Sequence, residues 1–138
     1  MTIYEIIIAI ISLCSLVFSI YSNFSVKTIK KKNKYYDGLF KKQLFIVIPD
    51  LYRRYVSGKN PNLDVEHEFE EAIQKFRNDI LVMDFVNSKF YIDIDDKLVA
   101  IDDTVVRISN RTSEYESLKI KLHDQIKTLY ATINKFFD

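Results

Sequence analysis

The residues with the chemistry to act as acids, bases or ligands fall into a few groups. The densest is acidic: Asp93, Asp95, Asp96, Asp102 and Asp103. On a helix Asp95 shares a face with Asp102, and Asp96 with Asp103. The cluster has neither the glycine nor the closing glutamate of a calcium loop, so it reads as a solvated face. His67 and Glu71 stand one helical turn apart without the H-E-x-x-H spacing that binds zinc, and they read as a surface pair. His123, between Leu122 and Asp124, sits at the edge of an apolar stripe. Neither histidine follows an arginine at the R-x4-6-H spacing of helical-bundle RNases. With two glycines in the chain there is no Gly-rich phosphate loop and no G-x-S-x-G elbow. The chain is therefore expected not to be an enzyme, and neither a cofactor nor a metal is expected.

Two further groups belong to the N-terminal third. Residues 6–26 run for twenty-one positions without a charge, fenced by Glu5 and Lys27. As a helix this run is about 31 Å long, close to the ~30 Å hydrocarbon thickness of a bilayer. Its polar members are five serines and Asn23. Glu5, Ser12 and Ser19 repeat every seven residues, and Ala9, Ser15 and Ser22 lie beside them, so small and polar side chains gather on one helix face. A lone helix in lipid has no reason to segregate its hydroxyls. The stripe either packs against copies of itself or lines water. The second group is basic and aromatic: Lys27, Lys30, Lys31, Lys32 and Lys34, followed by Tyr35 and Tyr36. It suits lipid headgroups, and it also suits an oligonucleotide or phosphate ligand with the tyrosines stacking.

The elements that hold these groups follow from patterning. The composition has two prolines, two glycines and no tryptophan, which argues for long helices. The net charge of +1 hides an asymmetry: residues 27–59 carry +8 and residues 60–138 carry −6. Lysines directly after the apolar run hold that end in the cytoplasm and leave the N-terminus outside. A cleaved signal peptide would want basic residues before the run and a small-x-small site after it, and neither is present. Cys14, the single cysteine, can build no disulfide within one chain.

The expected fold class is all-α: a transmembrane helix over 1–26, a basic juxtamembrane stalk over 27–37, and a small cytoplasmic antiparallel bundle of four helices over 38–138. Asp37-Gly38 is the first turn signal. Helix 39–57 should be kinked or divided at Pro49, and its LFIVI run at 44–48 is apolar all round, so it is either buried or lies against the membrane. After the GKNPNLD loop, Asp64 is expected to cap a helix of about six turns. Residues 88–111 contain a strand-like FYIDID alternation, but Phe90, Ile94, Leu98, Ile101, Val105 and Ile108 form a helical stripe. Ser113 with Glu116 has capping-box spacing for the last helix.

The stretch I-S-L-x-S-L-x-F-S-I-Y-S at 11–22, the Lys-rich junction and Y-Y-D-x-L-F at 35–40 resemble the small single-span membrane effectors of bacterial antiviral defence operons, in layout the Hailong-type membrane subunit. That resemblance implies a homo-oligomer of the bacterial inner membrane that depolarises the cell. It also implies an inhibitory oligonucleotide or nucleotide ligand supplied by a partner protein. The functional expectation is a homo-oligomeric membrane effector that forms an ion-conducting pore and is gated by its cytoplasmic domain. The alternative is a membrane-tethered adaptor or sensor subunit that binds a soluble partner or a nucleotide ligand.

Overall fold

The computed structural model describes residues 2–138, without the side chains of Val26, Thr28 and Ile29. Met1, the first residue of the expected span, lies outside the described residues. All regular structure among them is helical, and the chain divides into two compact units, Met1–Tyr35 and Tyr36–Asp138.

The first unit is a single helix, α1, over Ile3–Tyr35. It contains neither Gly nor Pro, and it continues through all five lysines of the expected stalk. Its start is fixed by Thr2 and Glu5. The Thr2 N–H donates to the Glu5 carboxylate at 2.8 Å, and the Glu5 N–H donates to the Thr2 hydroxyl at 3.3 Å. This reciprocal arrangement is a capping box, and the carboxylate also complements the positive end of the helix dipole. None of the apolar stretch of α1 is buried inside the protein, and the helix is long and apolar enough to cross a membrane.

The second unit begins with two π-helical turns, Tyr36–Phe40 and Gln43–Val47, and continues into α2 (Ile48–Val56). Asp37-Gly38 does not break the helix as expected; Gly38 lies within the first π turn, and its φ is not positive. The division expected at Pro49 falls beside it: the second π turn ends at Val47, α2 begins at Ile48, and Pro49 occupies the first turn of α2. The wider turns come before it and bury Phe40, Leu44 and Ile48 in steps of four residues. The 44–48 run is therefore split: Leu44 and Ile48 face the core, while Phe45 and Ile46 stay exposed.

Helix α3 spans Leu63–Asp79. Its cap is Asn62, whose side chain accepts from the Asp64 N–H at 3.2 Å, so Asp64 sits inside the first turn and is not the cap. The Asn62 N–H is tied to the Tyr55 carbonyl at 2.9 Å, which fixes the entry to the helix one turn after Gly58. The expected six-turn helix stops early, at Asp79. A 3-10 turn at Ile80–Val82 and the one-turn α4 (Met83–Val86) follow it. Asn87 then caps α5, accepting from the Phe90 N–H at 3.0 Å. Helix α5 covers Ser88–Asn110 without interruption, and its six stripe residues are all buried, so FYIDID is helical. A 3-10 turn at Thr112–Glu114 leads into α6 (Tyr115–Phe137), which has no side-chain cap; Ser113 does not serve as one because it lies inside that turn.

Helix α6 packs on α5, α5 on α3, and α3 on α2. Three tyrosine hydroxyls tie distant segments together through backbone carbonyls. Tyr55 donates to Val105 at 2.8 Å, Tyr115 to Gly58 at 3.0 Å, and Tyr130 to Leu44. An aromatic cluster closes one end of the unit: Phe90 stacks on Phe136 at 3.8 Å, and Phe40 touches Phe76, Phe90 and Phe137.

Candidate functional site

The polar face of α1 is the candidate site. Seven residues of helix advance about 10.5 Å, so Glu5, Ser12 and Ser19 form a ladder of that spacing. Glu5, Ala9, Ser12, Ser15 and Ser19 are exposed and Ser22 is half-buried. Two of these groups have local partners: the Glu5 carboxylate belongs to the capping box, and the Ser15 hydroxyl donates to the Ile11 carbonyl at 2.9 Å. A serine bonded back to its own helix keeps its oxygen lone pairs free to accept from outside. In steps of four, four, three and four residues, Ser19, Asn23, Lys27, Lys30 and Lys34 carry the same face on through the basic segment. The hydroxyl stripe and part of the lysine set are thus one continuous face.

The basic group is distributed unevenly. Lys27, Lys30, Lys31 and Lys34 are exposed, and Lys32 is half-buried. The two tyrosines expected to stack on an oligonucleotide ligand belong to different units. Tyr35 ends α1. The Tyr36 ring lies against Phe137, with centroids 5.1 Å apart, and so takes part in the aromatic cluster of the second unit.

The acidic cluster of α5 is dispersed among partners. Asp95 receives Arg77 through two bonds, at 2.7 and 3.3 Å. Asp93 pairs with Lys97, while Asp96 and Asp103 are exposed. Asp102 turns toward α3, where burial raises its pKa, with Asp103 adding to the rise; Arg77 and a bond from Gln74 oppose it. Glu70 is likewise raised by burial and by Glu66 and Asp102. Glu66 also accepts from the Ser109 hydroxyl at 2.6 Å. Among the described residues no group of three or more His, Cys, Asp or Glu could hold a metal ion. His67 pairs with Glu71 at 2.9 Å, and His123 is exposed beside the Tyr52 ring.

Some of these features carried a signal in the sequence. T-x-x-E at 2–5 is a capping-box pattern, and Asn87 stands three residues before Phe90. The half-buried position of Asp102 did not; an aspartate two turns from Asp95 on an acidic helix looks solvated until α3 partly covers it. No protein-family model matches the chain, and neither does any curated protein or solved structure.

Proposed function

We propose that the chain is a homo-oligomeric, single-pass effector of the bacterial inner membrane, with its N-terminus outside and the second unit, an antiparallel four-helix bundle, in the cytoplasm. Several copies of α1 gather with Glu5, Ala9, Ser12, Ser15, Ser19 and Ser22 toward a common axis. They form an ion-conducting pore that depolarises the cell in antiviral defence, gated through the cytoplasmic unit. The trigger in this reading is release of an inhibitory oligonucleotide or nucleotide ligand from the basic segment around Lys30–Lys34. The observation that carries the proposal is the state of α1. Its apolar surface is open along its whole length, as lipid requires, while its polar groups are confined to one face that lipid alone would not select.

The test is ion flux from liposomes containing the full chain, together with its mass in detergent. Flux with an oligomeric mass is expected. Ser12→Leu combined with Ser19→Leu should reduce flux by about tenfold or more, and Ile10→Leu should leave it unchanged. A monomer without flux refutes the pore. The second reading, a membrane-tethered adaptor, draws on the local partners of Glu5 and Ser15, since a simple anchor needs nothing more of them. An adaptor predicts unchanged growth and membrane potential on expression.

A further inference from the structure

We infer that the second unit carries its own membrane-docking face, a basic and aromatic surface built on Lys41, Lys42, Phe45, Ile46 and Pro49 that rests on anionic lipid headgroups. This rests on the membrane-spanning reading of α1 and adds a second lipid contact outside the span.

The face is a product of the helical segment that opens the unit. Its inner side is sealed by Phe40, Leu44, Ile48 and Leu51, each nearly inaccessible. Its outer side leaves Phe45 66% and Ile46 62% exposed, beside the exposed Lys41, Lys42 and Pro49. A soluble domain gains nothing by placing two large apolar side chains in water between lysines. An interfacial membrane surface has this composition, with apolar side chains entering the acyl boundary and lysines meeting the phosphates. The only carboxylate of 41–53 is Asp50, which Arg53 and Arg54 hold at 3.1 Å each, so it does not oppose the positive charge. Lys41 and Lys42 make no ion pair among the described residues.

The surface extends onto α6. A groove of about 420 Å³ lies elsewhere between α5 and α6, but the one that continues this face is lined by Pro49, Tyr52, His123, Ile126, Lys127 and Tyr130 and holds about 310 Å³. The Tyr130 hydroxyl is turned inward to the Leu44 carbonyl, which leaves apolar ring surface outward, and Lys127 adds a further exposed cation at the rim.

Charge selects lipid as the occupant: the surface is basic, as anionic headgroups require. The most exposed apolar side chain of the unit, Phe85 at 91%, is flanked by Asp79 and Asp84 and lacks that complementarity.

The experiment uses three full-length proteins in vesicles with about one-third phosphatidylglycerol, each carrying one fluorophore. The label sits on native Cys14, on Phe45→Cys, or on Phe85→Cys, the last two in a Cys14→Ser background. Quenching by nitroxide lipids and by aqueous iodide is read for each. The Phe45→Cys label is expected to be quenched by lipid about threefold more than the Phe85→Cys label, and to lose that excess in Lys41→Glu/Lys42→Glu or in vesicles without anionic lipid. Equal lipid quenching at both positions overturns the inference. So does protection of Phe45→Cys from iodide without lipid quenching, which would mean that a second copy covers the face. Cys14 separates the two readings: if its label escapes lipid quenching, the span itself fails, whereas a quenched Cys14 with an unquenched Phe45→Cys removes the docking face alone.

Discussion

Tyr55 offers a perturbation whose two parts can be measured separately. Its side chain is completely buried; the ring meets Phe69 edge-on at 5.9 Å, and the hydroxyl donates to the Val105 carbonyl at 2.8 Å, joining α2 to α5. Val105 lies in the interior of α5, so its carbonyl keeps its helical N–H partner when the hydroxyl is removed. Tyr55→Phe thus loses one net hydrogen bond and strands no acceptor, a cost of about 1 kcal/mol. Tyr55→Ala also removes the ring from a close-packed site, for a cost of about 3–5 kcal/mol. In a unit of roughly 100 residues, 1 kcal/mol moves the midpoint by about 4–8 °C. Tyr55→Phe should then melt about 4–8 °C below the parent, and Tyr55→Ala more than about 12 °C below it. Near-ultraviolet circular dichroism of the full chain in detergent is the suitable readout, because it follows tertiary packing, while far-ultraviolet signal from α1 persists whether or not the second unit unfolds. If Tyr55→Phe costs as much as Tyr55→Ala, the ring contributes nothing and the packing argument is wrong. If it costs nothing, water reaches the carbonyl and the site is not closed.

Asp102 and Glu70 both have raised pKa values, so they favour the folded state fully below the ordinary carboxylate range, near pH 4, and that contribution is lost as pH rises through their folded values. Asp102→Asn is expected to match the parent in midpoint at pH 4 and exceed it at pH 8; a lower midpoint at pH 8 would contradict the assignment. Asn87→Ala removes the cap of α5 and should cost about 1 kcal/mol by denaturant titration, with Ser88→Ala costing less than half of that. Glu5→Gln keeps a side-chain acceptor for the Thr2 N–H but removes the charge, so it should lower cation preference in the reconstituted pore and leave α1 helical content unchanged. Selectivity that survives Glu5→Gln would reduce Glu5 to its capping role.

The helical class and the buried stripe of α5 were legible because each stripe residue repeats the same instruction. Phe90, Ile94, Leu98, Ile101, Val105 and Ile108 agree, and one misleading alternation over six residues does not outweigh them. Helix ends were less legible, because each depends on one residue's backbone angles. Asn62 and Asp64 are both good caps by type, and the choice falls to Asn62 only because its N–H reaches back to the Tyr55 carbonyl, a contact that pattern does not encode. The π turns are harder still. Nothing in YDGLF or QLFIV forbids an ordinary α-helix, and the wider turn follows from the need to bury Phe40, Leu44 and Ile48 against the same neighbours.

For α1 the situation is reversed: the candidate face lies on one helix as its spacing predicts, yet among the described residues it stays exposed apart from the half-buried Ser22. Folding normally assigns a role to a polar residue by what it is packed against. Among the described residues, Thr2 serves Glu5 in this way and Ile11 serves Ser15, and both partners lie within a single turn. Local satisfaction does not remove these groups from a pore. The capping box fixes Glu5 at the first turn, and back-bonding leaves the Ser15 lone pairs free to accept. A face of hydroxyl and carboxylate oxygens is suited to meeting cations, and Ser12 and Ser19, at seven-residue steps from Glu5, continue it toward the lysines that end it.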